Sequence, residues 1–338
     1  MLLFHVQTLG AERLHLAGLA RAPFGDGWSG VDLFFVLSGF ILMRTHGAEF
    51  ERPGAGTLKR FAIARFFRVY PLNLVVLLLI AALVAADRNF AHWYAADGYH
   101  NLRPPAFVRT ALLATRWFLP GDGEWNQPVW SLSVEVLGYL AFPVIAWGLM
   151  RLKSTPALAL VALASLAALL AVQVFRNVAL TNDIGQVGAF TRMIFCFFAG
   201  AAASRAAALA PGFRGAPAAE IVAVVGLVAS CFSPFGLPLR PLLFTVLIFA
   251  LSYRQGPVDR ALSTRAAVFL GRISFPLYLV HVMLLLAVCH DFAGAAVGVR
   301  IAALVGGALA AFALATALHY LLERPTHQLG RRIAGRVG

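Results

Sequence analysis

Glu135 lies in WSLSVEVLGYLAFPVIAWGLM (residues 130–150), an otherwise apolar stretch long enough to cross a bilayer. A carboxylate inside such a stretch costs about 2 to 4 kcal/mol on insertion scales, so it is expected to face a protein interior or a wet cavity and to serve a function there. Ser131, Glu135 and Tyr139 recur at steps of four and form one polar stripe on a helix. The stripe either lines a cavity or satisfies a neighbouring helix. Ser274, Tyr278 and His281 form a second stripe, and an intramembrane histidine is either a hydrogen-bonded packing residue or a proton carrier. His5 is the other imidazole of interest, the natural base for activating a hydroxyl near neutral pH. Its bland alternative is also packing.

Asp32, in GVDLFFVLSGF (residues 30–40), needs a partner, either His5 or an arginine; the plainer reading is a structural ion pair among the first three helices. Ser38 and Gly39 beside it let another helix approach closely. Arg65 and Arg68 lie three apart and share a face. Two guanidiniums at a membrane mouth either clamp a phosphorylated ligand or anchor anionic lipid.

The elements that must position these groups are membrane helices. Hydrophobic residues make up 60% of the 338 and charged residues only 13%, with a mean hydropathy of +0.78. A soluble domain of this length would need far more polar surface. The apolar runs are continuous and not alternating, which disfavours a barrel. The fold class is therefore all-α, a polytopic transmembrane bundle of about ten helices in one domain, 1–338, with no appended soluble domain. The predicted spans are 1–9, 28–44, 59–86, 128–150, 156–175, 187–209, 218–232, 237–253, 266–289 and 299–322, with a kink at Pro71. Residues 87–127 read as a long loop with a short apolar piece at 107–119. Residues 323–338 read as a polar tail.

The net charge is +13. No nucleic-acid-reading motif accompanies it, and much of it gathers in the short connections 45–60, 151–155, 210–217 and 254–265 and in the tail. The positive-inside rule then puts both termini in the cytoplasm and 87–127 outside. The three cysteines lack metal-ligand spacing and read as small core residues, and no HExxH, CxxC or Walker motif occurs. No metal site is expected.

Five segments resemble the membrane-bound acyltransferase family 3, whose members O-acylate surface polysaccharides and related glycans. They are LFH (3–5), GVDLFFVLSGFIL (30–42), RFFRVYPL (65–72), WSLSVE (130–135) and LGRISFPLYLVH (270–281), and the closing LLERP (321–325) also fits. They occur in the family's order across nearly the whole chain. The resemblance implies a ten-helix bundle that takes an acyl group, acetyl by family frequency, from cytoplasmic acyl-CoA and delivers it to a glycan or lipid-linked sugar acceptor. It implies a multi-pass protein of the inner, cytoplasmic membrane. It matches His5 to the catalytic histidine, Arg65 and Arg68 to the Arg-x-x-Arg motif of the CoA-binding side, and Glu135 to the acid of the WSLSxE motif. The family usually carries an Arg or Lys eleven residues before the histidine; the sequence opens four residues before His5, so further residues upstream are expected.

On this reading His5 acts as base, with Asp32 to orient it and Glu135 to orient groups or receive a proton. Arg65 and Arg68 hold acyl-CoA, while Ser131, Tyr139, Tyr278 and His281 line the substrate cavity. Trp93, Tyr94, Trp117 and Trp125 either stack on sugar rings or form an interfacial belt. The competing reading is a transporter or flippase with an intramembrane ionisable relay, which the same buried charges would serve. Neither internal repeats nor the motif match favours it.

Overall fold

The computed structural model describes residues 1–16, 18–19, 24–95, 100–121, 123–176, 183–232 and 236–337. Among them the architecture is helical, with one isolated parallel bridge between His100 and Glu124. The helices are α1 (Leu2–Glu12), α2 (Gly30–His46), α3 (Ala55–Ala86), α4 (Arg88–Ala95), α5 (Pro104–Ala111), α6 (Val129–Arg151), α7 (Thr155–Phe175), α8 (Gln186–Leu209), α9 (Ala216–Ser230), α10 (Arg240–Leu251), α11 (Pro257–Leu262), α12 (Arg265–Phe292), α13 (Val297–Leu318) and α14 (Arg324–Gly335).

Among the described residues, seven helical stretches are long and apolar enough to span a membrane, and Ala216–Ser230 and Leu237–Leu251 are shorter apolar helices. With α1 they fall where the sequence predicts ten spans. Large apolar side chains stand outward along them, with Val144 at 71% and Leu160 at 67% exposure. In water such faces would be aggregation surfaces, whereas lipid is their proper solvent. Helices also satisfy every backbone amide internally, which hydrocarbon demands. Pro71, Pro143 and Pro276 sit inside α3, α6 and α12 without ending them.

Two sequence expectations need correction. Residues 87–127 are not one loop, since α4 and α5 lie within them. Both helices are short and amphipathic, and Pro104 and Pro105 start α5 where the missing N–H is harmless, so a search for long apolar runs passes over them. The polar tail is helical too. A π-turn over His319–Glu323 joins α13 to α14, and its wider ring accommodates Pro325 at the start of the new helix.

The chain forms two compact units. One comprises Met1–Trp28, Ala62–Ser133 and Phe269–Val337; the other comprises Ser29–Phe61 and Val134–Val268. In the first, Leu14, Leu16, Leu285, Cys289 and Leu304 form a buried cluster, and Arg300 donates to the Leu14 carbonyl at 2.6 Å. In the second, α2 lies against α8 through two glycines. A Cβ on Gly39 would overlap the Phe197 carbonyl, and one on Gly200 would overlap the Val36 carbonyl. This reciprocal pair lets the backbones touch, as small residues do at membrane helix interfaces. Beside it, Phe50, Phe61, Phe142 and Phe197 pack edge to face or stacked at centroid distances of 5.2 to 6.3 Å. Of the cysteines, Cys196 and Cys289 are buried, but Cys231 is exposed at the end of α9.

Candidate active site

In the first unit, α1 and α12 bring His5 and His281 together. Both imidazoles are buried, and His281 Nε2 lies 3.0 Å from His5 Nδ1. The backbone settles which nitrogens carry protons. His281 Nδ1 is 3.0 Å from the Leu277 carbonyl and 2.9 Å from that of Tyr278. Carbonyls only accept, so Nδ1 is the protonated nitrogen of the neutral His281 ring, and its Nε2 accepts. His5 Nδ1–H must then be the donor, shared with the Met1 carbonyl at 3.3 Å. That leaves His5 Nε2 as the nitrogen with a lone pair to offer. The arrangement is that of a base whose second nitrogen is held by an orienting group.

Nearby on α12, Tyr278 bonds through its hydroxyl to Ser131 Oγ at 2.8 Å, and Asn126 donates to the Leu279 carbonyl at 3.0 Å. The two stripes read from the sequence thus meet at Ser131 and Tyr278. Ser274 points back along its own helix to the Gly271 carbonyl.

The arginine pair lies on α3 in the same unit. Arg68 donates to Glu323 Oε1 at 2.7 Å and also approaches His327 Nε2 at 3.3 Å. Glu323 is itself buried, and its second oxygen is 2.6 Å from His319 Nδ1. The π-turn is what aims both His319 and Glu323 at this point. Arg68 keeps 43% of its side chain exposed, so it stays accessible to a ligand although it has a carboxylate partner. Arg65 is half-buried one turn earlier.

In the second unit Asp32 finds an arginine, the alternative the sequence left open. Its Oδ1 accepts from Arg192 Nε at 2.8 Å, with both side chains buried. Sequence reasoning overlooked Arg192, although an arginine deep in the apolar run 186–209 signals a buried carboxylate elsewhere. Glu135 is half-buried, and Ser38 Oγ and Tyr139 Oη both donate to its Oε1, at 2.7 and 2.8 Å. Two hydroxyls on one oxygen fix the carboxylate plane and leave Oε2 outside both bonds. Ser38 therefore serves Glu135, while Gly39 provides the close approach.

The segment between α3 and α6 contains a polar core of its own. Arg116 meets Glu124 at 2.9 Å, and Glu124 is almost fully buried. Burial pushes the Glu124 carboxyl up to about 7, against the opposing pull of the Arg116 and Arg109 guanidiniums. Tyr94 is fully buried and donates to the Trp125 carbonyl, so it offers no face to a sugar. Trp117 donates to the Ser133 carbonyl at 2.8 Å and Trp125 to that of Arg103 at 3.1 Å. These indoles staple the segment while remaining half-exposed. The Trp93 side chain lies outside the described residues.

Against known families, residues 3–321 match the model of the acyltransferase domain. The chain belongs to this acyltransferase family. Among its relatives are protein 2 in the picA locus of Rhizobium radiobacter, 34% identical over 115 residues, and the peptidoglycan O-acetyltransferase OatA of Listeria monocytogenes, 25% identical over 143 residues. The matched stretches cover 32% and 40% of this acyltransferase chain, and 60% and 22% of those proteins. No solved structure matches it.

Proposed function

We propose that this chain is an integral membrane O-acyltransferase that moves an acyl group, acetyl in the first instance, from cytoplasmic acyl-CoA to a hydroxyl of a cell-surface glycan or lipid-linked sugar. The observation that carries the reading is the His5–His281 pair, because its hydrogen bonds leave His5 Nε2 as a positioned base. Family membership supplies the reaction class. We assign the protein to the inner, cytoplasmic membrane with both termini in the cytoplasm, on the distribution of basic connections.

In this mechanism His5 Nε2 takes the proton of the acceptor hydroxyl as its oxygen attacks the thioester carbonyl. The C–O bond forms and the C–S bond breaks. The proton held on Nε2 passes to the departing CoA sulfur, so the enzyme returns to its starting state. His281 acts through His5: it accepts the Nδ1–H bond and favours the tautomer in which Nε2 is bare, and as charge builds on the His5 ring that bond strengthens. Arg65 and Arg68 engage the phosphates of CoA, with Glu323 holding Arg68 in place between turnovers. In the second unit Glu135 keeps Oε2 outside its two hydrogen bonds to orient groups or receive a proton, and Asp32 is held by Arg192. Ser131, Tyr278 and His281 contribute polar lining in the first unit, and Tyr139 does so in the second.

Purified protein in liposomes, given radiolabelled acetyl-CoA and a glycan acceptor, tests the reading. Acceptor-dependent release of free CoA with label on the glycan is expected. Translocated label with no thioester cleavage would instead identify a carrier.

A further inference from the structure

The second unit contains a cavity that none of the groups discussed above lines. Its volume is about 540 Å³, within the range of small-molecule sites. Its polar lining consists of Arg44, Ser204, Arg205, Ser252, Tyr253 and Gln255, and none of its lining residues is acidic. These residues come from the C-terminal ends of α2, α8 and α10, where the chain passes into the basic connections 45–60, 210–217 and 254–265.

The two arginines are the unusual feature. Arg205 is half-buried, and its Nε is buried with no hydrogen-bond partner among the described residues. Neither Arg44 nor Arg205 forms an ion pair among the described residues. Arginines at helix C-termini are favoured by the macrodipole, which is the plain explanation for Arg44 in the last turn of α2. That explanation does not reach Arg205, which sits a full turn before the end of α8 with a donor unused. A buried guanidinium donor without an acceptor is disfavoured and calls for one. Helix ends bring partial negative charge of roughly half a unit each, spread over several carbonyls and confined to the last turn, whereas the guanidiniums bring whole charges and directed donors. The Ser252 and Tyr253 hydroxyls already donate to the Phe249 and Ala210 carbonyls, so the arginines are the donors left to recognise a ligand, with Ser204 and Gln255 beside them.

We propose that this cavity is a binding site for a phosphomonoester, whose two negative charges match the two guanidiniums. The phosphate belongs either to a lipid headgroup or to a soluble nucleotide; both present the same chemistry to Arg44 and Arg205. The inference stands apart from the acyl-transfer reading, because none of the proposed catalytic or CoA-binding residues lines the cavity.

The test uses the full chain in phosphatidylcholine nanodiscs. One arm adds a minor fraction of phosphatidic acid and counts retained lipid by native mass spectrometry across a titration; the other titrates AMP by calorimetry. Saturable binding in at least one arm is expected, weakened roughly tenfold or more by Arg205→Gln and by Arg44→Gln. A saturable lipid arm identifies a headgroup site, and a saturable AMP arm identifies a soluble ligand. Arg44 is exposed, so Arg44→Gln carries the test if the Arg205 variant does not fold. Failure to saturate in both arms, or binding that both variants leave unchanged, would overturn the proposal.

Discussion

His281 Nε2 accepts a hydrogen bond from His5 Nδ1 across 3.0 Å, although 276 positions separate the two residues. His281 is locked from behind by two carbonyls of its own helix, so its tautomer is dictated by the backbone and is passed on to His5. In this account His281 is a positioning residue and touches no reacting atom.

A substitution series at His281 separates positioning from packing. His281→Leu removes the acceptor and is expected to lower kcat by about tenfold or more, with KM for acyl-CoA little changed, because the His5 ring can then adopt the wrong tautomer. His281→Gln retains a side-chain acceptor and should recover part of that loss. The pH–rate profile of the leucine variant should also move, since the His5 base titrates without its partner. Equal loss in both variants with an unchanged profile would indicate a structural role only.

Asp32 and Arg192 make a buried pair, and breaking one half leaves an uncompensated charge. Asp32→Asn should lower stability by about 3 to 5 kcal/mol, seen as a large drop in the thermal midpoint in detergent. Replacing both residues by apolar ones of similar volume should recover most of it. If the single variant melts like the parent, the pair does not hold α2 against α8.

Gly39 and Gly200 tolerate no Cβ, because the space is filled by the backbone of the facing helix. Alanine at either site must push α2 and α8 apart, at a cost of about 1 to 3 kcal/mol, and leucine more. Alanine at Gly148 or Gly271, where an added Cβ meets open space, is the matched control and should be close to neutral.

Glu124 makes the segment between α3 and α6 sensitive to pH. Its carboxyl in the folded protein titrates at about 7 against an ordinary value of 4.5. Between those values the folded state binds more protons than the unfolded state, so stability falls as pH rises through that window and levels off above it. Glu124→Gln should flatten this slope. Hydrogen exchange of amides in the segment across pH 4.5 to 7 reads it directly, and a slope that persists in the variant would assign it to another group.

Much of this architecture is visible in the residue string, and the gaps have physical causes. Ten apolar runs mark ten helices because lipid forces each to satisfy its own backbone. The need of Asp32 for a partner was legible, as was the small-residue contact at Gly39. The identity of the Asp32 partner was not, because Arg192 lies 160 positions away and pairing across helices leaves no local signature. The same holds for His5 with His281 and for Arg68 with Glu323. The helical tail escaped notice because Pro325 reads as a terminator, whereas the π-turn before it absorbs the strain. The helices α4 and α5 carry too few apolar residues to register as spans and too many aromatic and proline residues to register as helices.

The central claim is that His5 Nε2 is the base for acyl transfer, and His5→Ala tests it most directly. The variant should insert and melt much like the parent, yet release of free CoA from labelled acetyl-CoA in the presence of acceptor should fall by about 10² to 10⁴-fold. Acceptor-dependent release at the parent's rate in a correctly inserted His5→Ala protein would contradict the account.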